Sequence, residues 1–299
     1  MNEILQTFDL SKRFRKTVVL ERMNLSIAEG SVYGLLGQNG AGKTTAVKIL
    51  MNLVQPSDGR AEIFGHDSRR LSSEDFTRIG YVSENQELPE WMTVEYFMRY
   101  LAPFYPNWDT KRAEELLRQF NLPRDRKLKH LSRGMRMKAS LASSLAYRPK
   151  LIVLDEPFSG LDALVRDQFI EGLLESIEGA TVLISSHDLT EIENFASHVG
   201  YLDQGRLVFS EEMASLTARF REIEITRKGP VPELSNWPKS WVSTEHSGAV
   251  TRFVDTGFDA EESLSQVRQF FQSAQQISVN PMPLRQIFVT LAKTGQQGA

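Results

Sequence analysis

The nine residues GQNGAGKTT at 37–45 combine three glycines with one lysine and two threonines. A triphosphate needs many hydrogen-bond donors at close range. Glycines at Gly37, Gly40 and Gly42 let a backbone curl until several N–H groups point inward, and Asn39 and Ala41 belong to the same cradle. Lys43 would then reach the β- and γ-phosphates, the Thr44 hydroxyl would ligate Mg²⁺, and Thr45 would donate to the α-phosphate. The chemistry this spacing suggests is the holding of a nucleoside triphosphate with its magnesium ion.

A second group lies far along the chain. LIVLDEP at 151–157 is an apolar run closed by two acids and a proline. Asp155 would hold the Mg²⁺ shell and Glu156 would polarise the attacking water. Phosphoryl transfer asks little covalent work of a protein, so placement and charge compensation carry most of the catalysis. TVLISSHDL at 181–189 brings His187 to the end of another apolar run, where it would donate to the γ-phosphate and sense its loss.

These side chains need elements to aim them. SVYGLLG at 31–37 predicts a buried strand ending in glycine. Residues 42–54 place Ala46, Val47, Ile49, Leu50 and Leu53 at helical spacing, and QPSDG at 55–59 predicts the turn that ends the helix. LIVLDEP predicts a central parallel strand covered on both faces. Its acids would face the crevice at the carboxyl ends of the strands, where open α/β sheets bind ligands.

The ordered set of motifs from about residue 3 to 215 resembles the ATP-binding cassette (ABC) ATPases, the motor subunits of ABC transporters. GQNGAGKTT matches the Walker A motif, LSRGM at 131–135 the signature, LIVLDEP Walker B, SGLD at 159–162 the D-loop, and SSHD at 185–188 the switch histidine. The resemblance implies an α/β fold: a P-loop NTPase-type cassette over 1–214 with a helical subdomain about 88–148, and a small C-terminal α+β appendage over 215–299. It implies ATP and Mg²⁺ as cofactors. It also implies that two cassettes pack head to tail, each ATP lying between Walker A of one and the signature of the other. Ser132 and the Gly134 backbone would then bind the γ-phosphate in trans, Asp162 would couple the two sites, and Phe14 would stack on the adenine.

This chain departs from the family pattern at two places. In the signature, Arg133 stands where glycine is usual and Met135 where glutamine is usual; Arg133 is expected to point into solvent. At the Q-loop, IGYVSENQELPEWMTVEYF puts Glu84 where glutamine usually touches Mg²⁺, with Gln86 two residues on as the alternative. Glu84 is taken as a metal ligand.

Among the family's classes, a single Walker A argues against the ribosomal one, which carries two cassettes in one chain, and only 87 positions between Thr45 and Ser132 (132 − 45 = 87) leave no room for the long coiled coil of the class that works on DNA ends. Within that stretch, Ala113, Leu116, Leu117 and Phe120 show helical spacing. Leu88, Trp91 and Met92 suit a groove for a membrane partner. The resemblance therefore implies an exporter ATPase, at the inner face of the plasma membrane, with an integral-membrane permease and a second cassette as partners, an identical copy in preference to a different one. The alternative is a soluble ABC-type regulatory or mechanical ATPase without a permease.

The composition is that of an ordinary globular protein: 41% hydrophobic and 24% charged residues with a net charge of −3, which gives no reason to expect nucleic acid as partner. Cysteine is absent, so no disulfide forms. No apolar run approaches the roughly 20 residues that cross a bilayer. Past about residue 215, REIEITRK (221–228) and GAVTRFVDT (248–256) predict strands. Residues 259–274, with Asp259 as N-cap and Glu262 as its capping-box partner, predict a helix, as do residues 282–293. GPVPELSNWPKSW (229–241) is expected to be irregular.

Overall fold

Apolar runs of five or six residues are too short for stable helices and become the central strands in a computed structural model, which describes residues 2–84, 86–177, 179–228 and 237–295. The chain divides into two compact units, Met1–Ser210 and Glu211–Ala299.

The first unit runs β1 (Glu3–Phe14), β2 (Thr17–Ala28), β3 (Val32–Leu36), α1 (Lys43–Leu50), β4 (Asp58–Ile63), β5 (His66–Asp67), α2 (Ser73–Phe76), β6 (Ile79–Ser83), α3 (Val94–Leu101), α4 (Thr110–Gln119), α5 (Arg133–Leu145), β7 (Leu151–Asp155), α6 (Ala163–Leu174), β8 (Thr181–Ser186), β9 (His198–Asp203) and β10 (Arg206–Glu212). Six strands form one sheet in the order β10-β9-β3-β8-β7-β6. Within it β3, β6, β7, β8 and β9 are linked by parallel pairings. Every residue of β7 and β8 is buried, the continuous apolar signature of a strand covered on both faces. A second sheet, β2-β1-β4-β5, is antiparallel.

The core binds these layers. Leu5, Leu20, Leu35, Val47, Ile49, Ile63, Val153 and Leu183 belong to one buried cluster. Each such side chain contributes roughly 1.5–3 kcal/mol when removed from water. That burial fixes α1 and therefore the loop before it. The helix stops earlier than its periodicity suggests: it ends at Leu50, and Asn52 takes a left-handed conformation, φ 55°. The Leu53 and Val54 amides fold back to the Lys48 carbonyl at 2.8 and 3.2 Å. Leu53, expected on the apolar face, is consequently exposed.

Between β6 and β7 lie α3, α4 and α5. Thr93 caps α3 and Asp109 caps α4, each accepting from the amide three residues on. Ala113, Leu116, Leu117 and Phe120 are buried as their spacing requires. Gly172 on α6 has no Cβ, and one built there would lie 2.3 Å from the Phe120 ring. Met92 is 3% exposed and Trp91 64%, with Leu88 half-buried. Met92 is thus a core residue and not part of an open surface.

The second unit holds α7 (Met213–Arg219), β11 (Arg221–Arg227), β12 (Trp241–Ser247), β13 (Val250–Asp255), α8 (Ala260–Phe270), β14 (Ala274–Pro281) and α9 (Leu284–Gly295). Its sheet, ordered β12-β13-β11-β14, is antiparallel throughout. Trp241, Phe253, Val267 and Phe271 form its own core. Asp259 caps α8, accepting from the Glu261 and Glu262 amides. In the reciprocal bond the Asp259 amide donates to the Ser263 hydroxyl oxygen at 3.1 Å, in place of the expected Glu262. Of the stretch expected to be irregular, residues 229–236 lie outside the described residues, and Trp241 already begins β12. Among the described residues no helix is long and apolar enough to cross a membrane.

Candidate functional site

Parallel register brings the site together. Ser83 pairs with Asp155, Asp155 with Ser185, and Ser186 with Leu36. Four strands therefore end at one level, and the residues just beyond them, Glu84, Glu156, His187 and Gly37, line one edge of the sheet.

The loop of 37–45 leaves that edge. A Cβ on Gly37 would sit 2.3 Å from the Leu202 carbonyl oxygen, so only glycine fits. Gly40 and Gly42 take φ of 84° and 111°, conformations that residues with a Cβ reach at a cost. Gly42 is the N-cap of α1. The loop's amides thus gather at the positive end of that helix, beside Asn39, Ala41 and Thr45.

Lys43 is 4% exposed. Its Nζ donates to the Gly37 and Gln38 carbonyls at 2.6 and 3.2 Å and meets Glu156 Oε1 at 3.0 Å. Glu156 Oε2 lies 2.8 Å from His187 Nδ1. This bond is the main reason the His187 pKa rises above the ordinary 6.5, against the opposing effect of burial. Glu156 takes φ 50°, and its amide is held by the Ser185 hydroxyl at 3.0 Å.

Asp155 sits beside this trio. Its Oδ1 accepts from the Thr44 hydroxyl at 3.1 Å and from Ser185 at 2.7 Å. Burial pushes its carboxyl above the usual range, although both hydroxyls pull the other way. A buried carboxylate that remains hard to ionise with neutral donors is suited to a cation. The donor set is all oxygen, which fits Mg²⁺. Among the described residues no group of three or more His, Cys, Asp or Glu forms a metal cage.

Lys43, Thr44, Asp155, Glu156 and His187 thus stand together. Ser132, Gly134 and Asp162 lie in a different group. Ser132 caps α5, accepting from the Met135 amide at 3.3 Å. Asp162 caps α6, accepting from Val165 at 2.9 Å. A Cβ on Gly134 would come within 2.5 Å of the Val165 side chain, so the two helices touch there. Phe14 is exposed, not a core phenylalanine, and Lys12 Nζ lies 4.7 Å above its ring.

Glu84 falls between the groups. Its amide donates to the Asp155 carbonyl at 3.0 Å. Its carboxylate turns elsewhere, accepting from Ser159 Oγ at 2.7 Å and from the Arg133 guanidinium. Burial opposes its ionisation, but these two donors outweigh that and hold its pKa below the usual range. Arg133, expected in solvent, is exposed but is also paired with Glu84. The physical reason is a carboxylate 49 positions away that the fold brings within reach. Ser185 and Ser159 also went unmarked in the sequence. Both sit inside motifs, but serine has no pattern that announces a carboxylate partner.

Comparison with known proteins agrees with this geometry. A family model described as ABC transporter matches residues 20–159. The bacitracin transport ATP-binding protein BcrA of Enterococcus faecalis is 31% identical over 226 residues, 74% of this chain and 73% of that protein. The daunorubicin resistance ATP-binding protein DrrA2 of Streptomyces coeruleorubidus is 37% identical over 205 residues, 67% of this chain and 64% of that protein. The solved structure of an ATP-binding subunit of an ABC transporter is 29% identical, with a TM-score of 0.66 over 72% of this chain and 92% of that one. With a phosphate loop, two acids and a histidine assembled at one sheet edge, and with relatives of this likeness along most of its length, the chain belongs to the ATP-binding, ATP-hydrolysing subunits of ABC transporters.

Proposed function

We propose that this subunit powers export through a separate integral-membrane permease, as half of a pair of cassettes. The observation that carries the reading is Glu156 held between Lys43 and His187, at 3.0 and 2.8 Å, beside the Thr44–Asp155 pair. Glu156 is the general base for the attacking water. Lys43 changes partner from Glu156 to the phosphates when nucleotide enters. His187 then bridges Glu156 and the γ-phosphate. The loop amides from Gly37 to Gly42, with Thr45, cradle the phosphates, and Phe14 stacks on the adenine. Thr44 and Asp155 would hold the Mg²⁺, which would supply charge neutralisation at the phosphates, and Glu84 is its further candidate ligand.

Ser132, Gly134 and Asp162 stand apart from this cluster, at the starts of α5 and α6, and they serve the nucleotide of a second cassette. An identical chain is the simplest partner. For the permease, the argument is a groove of 440 Å³ lined among others by Leu53, Leu88, Phe97, Tyr100 and Tyr105. An apolar groove with buried Phe97 and half-exposed Tyr100 and Tyr105 along it suits a short amphipathic helix. Export is supported by the relatives, whose names speak of bacitracin transport and daunorubicin resistance. The location that follows is the inner face of the plasma membrane.

The test is Glu156→Gln. It is expected to bind MgATP, to lose turnover by at least about 10²-fold, as removal of a general base does, and to accumulate as a dimer by light scattering. A monomer in saturating MgATP with normal turnover would refute the scheme. Co-purification of a polytopic membrane protein decides for the transporter against a free-standing regulatory ATPase.

A further inference from the structure

The cleft between residues 83–90 and α5, 790 Å³ in volume, is crossed by two ion pairs. Arg133 and Arg136 are one turn apart on α5 and so share a face. Arg133 reaches Glu84, and Arg136 lies 3.5 Å from Glu90. Arg136 is further tied to the Leu128 and Lys129 carbonyls at 3.1 and 3.3 Å, which leaves it the more fixed of the two. Arg133 has a place made for it: Gly160 holds φ 68°, and a Cβ there would lie 2.8 Å from the guanidinium. The Glu84 carboxylate therefore has two donors, Ser159 and Arg133. Its backbone, however, is bonded directly to Asp155.

We propose that Arg133 is a positioning residue: its pair with Glu84 latches the segment after β6 to the start of α5 and holds that carboxylate off the metal position until metal and nucleotide arrive. The inference rests on the reading of Thr44 and Asp155 as the metal-holding pair. Arg133 and Glu84 are each substantially solvent-exposed. Pairs of this kind are weak, and a divalent cation competes for the carboxylate effectively. The latch is thus easily opened by the ligand and closes again when the ligand leaves. Both departures from the family pattern, at 84 and 133, become one device.

The experiment uses the full chain with Mn²⁺ as probe and a non-hydrolysable ATP analogue, reading free Mn²⁺ by electron paramagnetic resonance. R133M is expected to tighten Mn²⁺ binding about two- to fivefold, the range open to an exposed ion pair. R133K, which keeps the charge, is expected to stay close to the unmodified protein. In an E84Q background, R133M is expected to change nothing, because its effect passes through the carboxylate. No tightening in R133M, or equal tightening with and without E84Q, would overturn the latch. Failure of the unmodified protein to bind Mn²⁺ with the analogue would instead remove the metal-site reading, and the latch with it. Binding of the analogue without metal, followed by fluorescence, separates these cases from misfolding.

Discussion

Glu156 keeps a backbone conformation, φ 50°, that residues with a Cβ seldom adopt. Such strain costs roughly 1–3 kcal/mol and survives only where neighbours enforce it. Here the enforcement comes from Ser185, whose hydroxyl and carbonyl both accept from the Glu156 amide. The strained turn aims the carboxylate between Lys43 and His187. That His187 bond has a pH signature. The His187 pKa is raised above 6.5 by Glu156, so the protonated histidine favours the folded state. Its contribution is fully present below pH 6.5 and fades as pH rises through the higher folded value. His187→Ala is therefore expected to lower the melting temperature at about pH 6 and to leave it nearly unchanged at about pH 9. Equal losses at both would mean that the imidazole acts by packing alone. The acids at 155 and 156 were legible because two carboxylates ending an apolar run are conspicuous. The role of Arg133 was not, because its partner is set by tertiary approach and not by spacing.

Elements followed their sequence patterns where one face meets the core. In α4, Ala113, Leu116 and Leu117 repeat at helical spacing and are buried. Leu116→Ala is expected to cost about 2–5 kcal/mol, the range for such cavities, measured by urea unfolding. A loss under about 0.5 kcal/mol, the level of surface changes, would show that α4 does not anchor its layer. Gly37→Ala belongs at the same scale. The added methyl would meet the Leu202 carbonyl, so nucleotide affinity is expected to drop by at least tenfold in a fluorescence titration while the fold persists. Elements whose alternation is broken were harder to read. The ladder of β1 with β2 shifts register at four places, and bulges of this kind scramble a period of two. The strand β14, AQQISVNP, has few apolar residues to alternate and none fully buried. Its place is fixed by its ladder with β11, which no local pattern reports.

At the scale of the molecule, two units carry two separate cores. The phosphate loop, both acids and His187 lie in the first unit, so nucleotide is expected to stabilise that unit, since a ligand stabilises only the state that binds it. Calorimetry is expected to show two transitions, with MgATP at a hundred times its dissociation constant raising one of them by about 2.7 kcal/mol. A single transition shifted as a whole would mean that the units unfold as one. The sequence points to a second unit past about residue 215, whereas the compact units meet between Ser210 and Glu211. The architecture beyond it was only partly visible, since β12 and β14 carry no strong pattern.

One close approach reaches further than its size suggests. At Gly134 the backbone of α5 meets Val165 of α6, and four residues on, Lys138 donates to Gln168 at 2.7 Å. The two helices are thus welded along their first turns, and the helix starts at Ser132 and Asp162 are fixed side by side. An incoming molecule that reads both would find them already ordered, so docking would freeze little new motion. Geometry settled while the chain folds would then govern how quickly two such surfaces recognise each other.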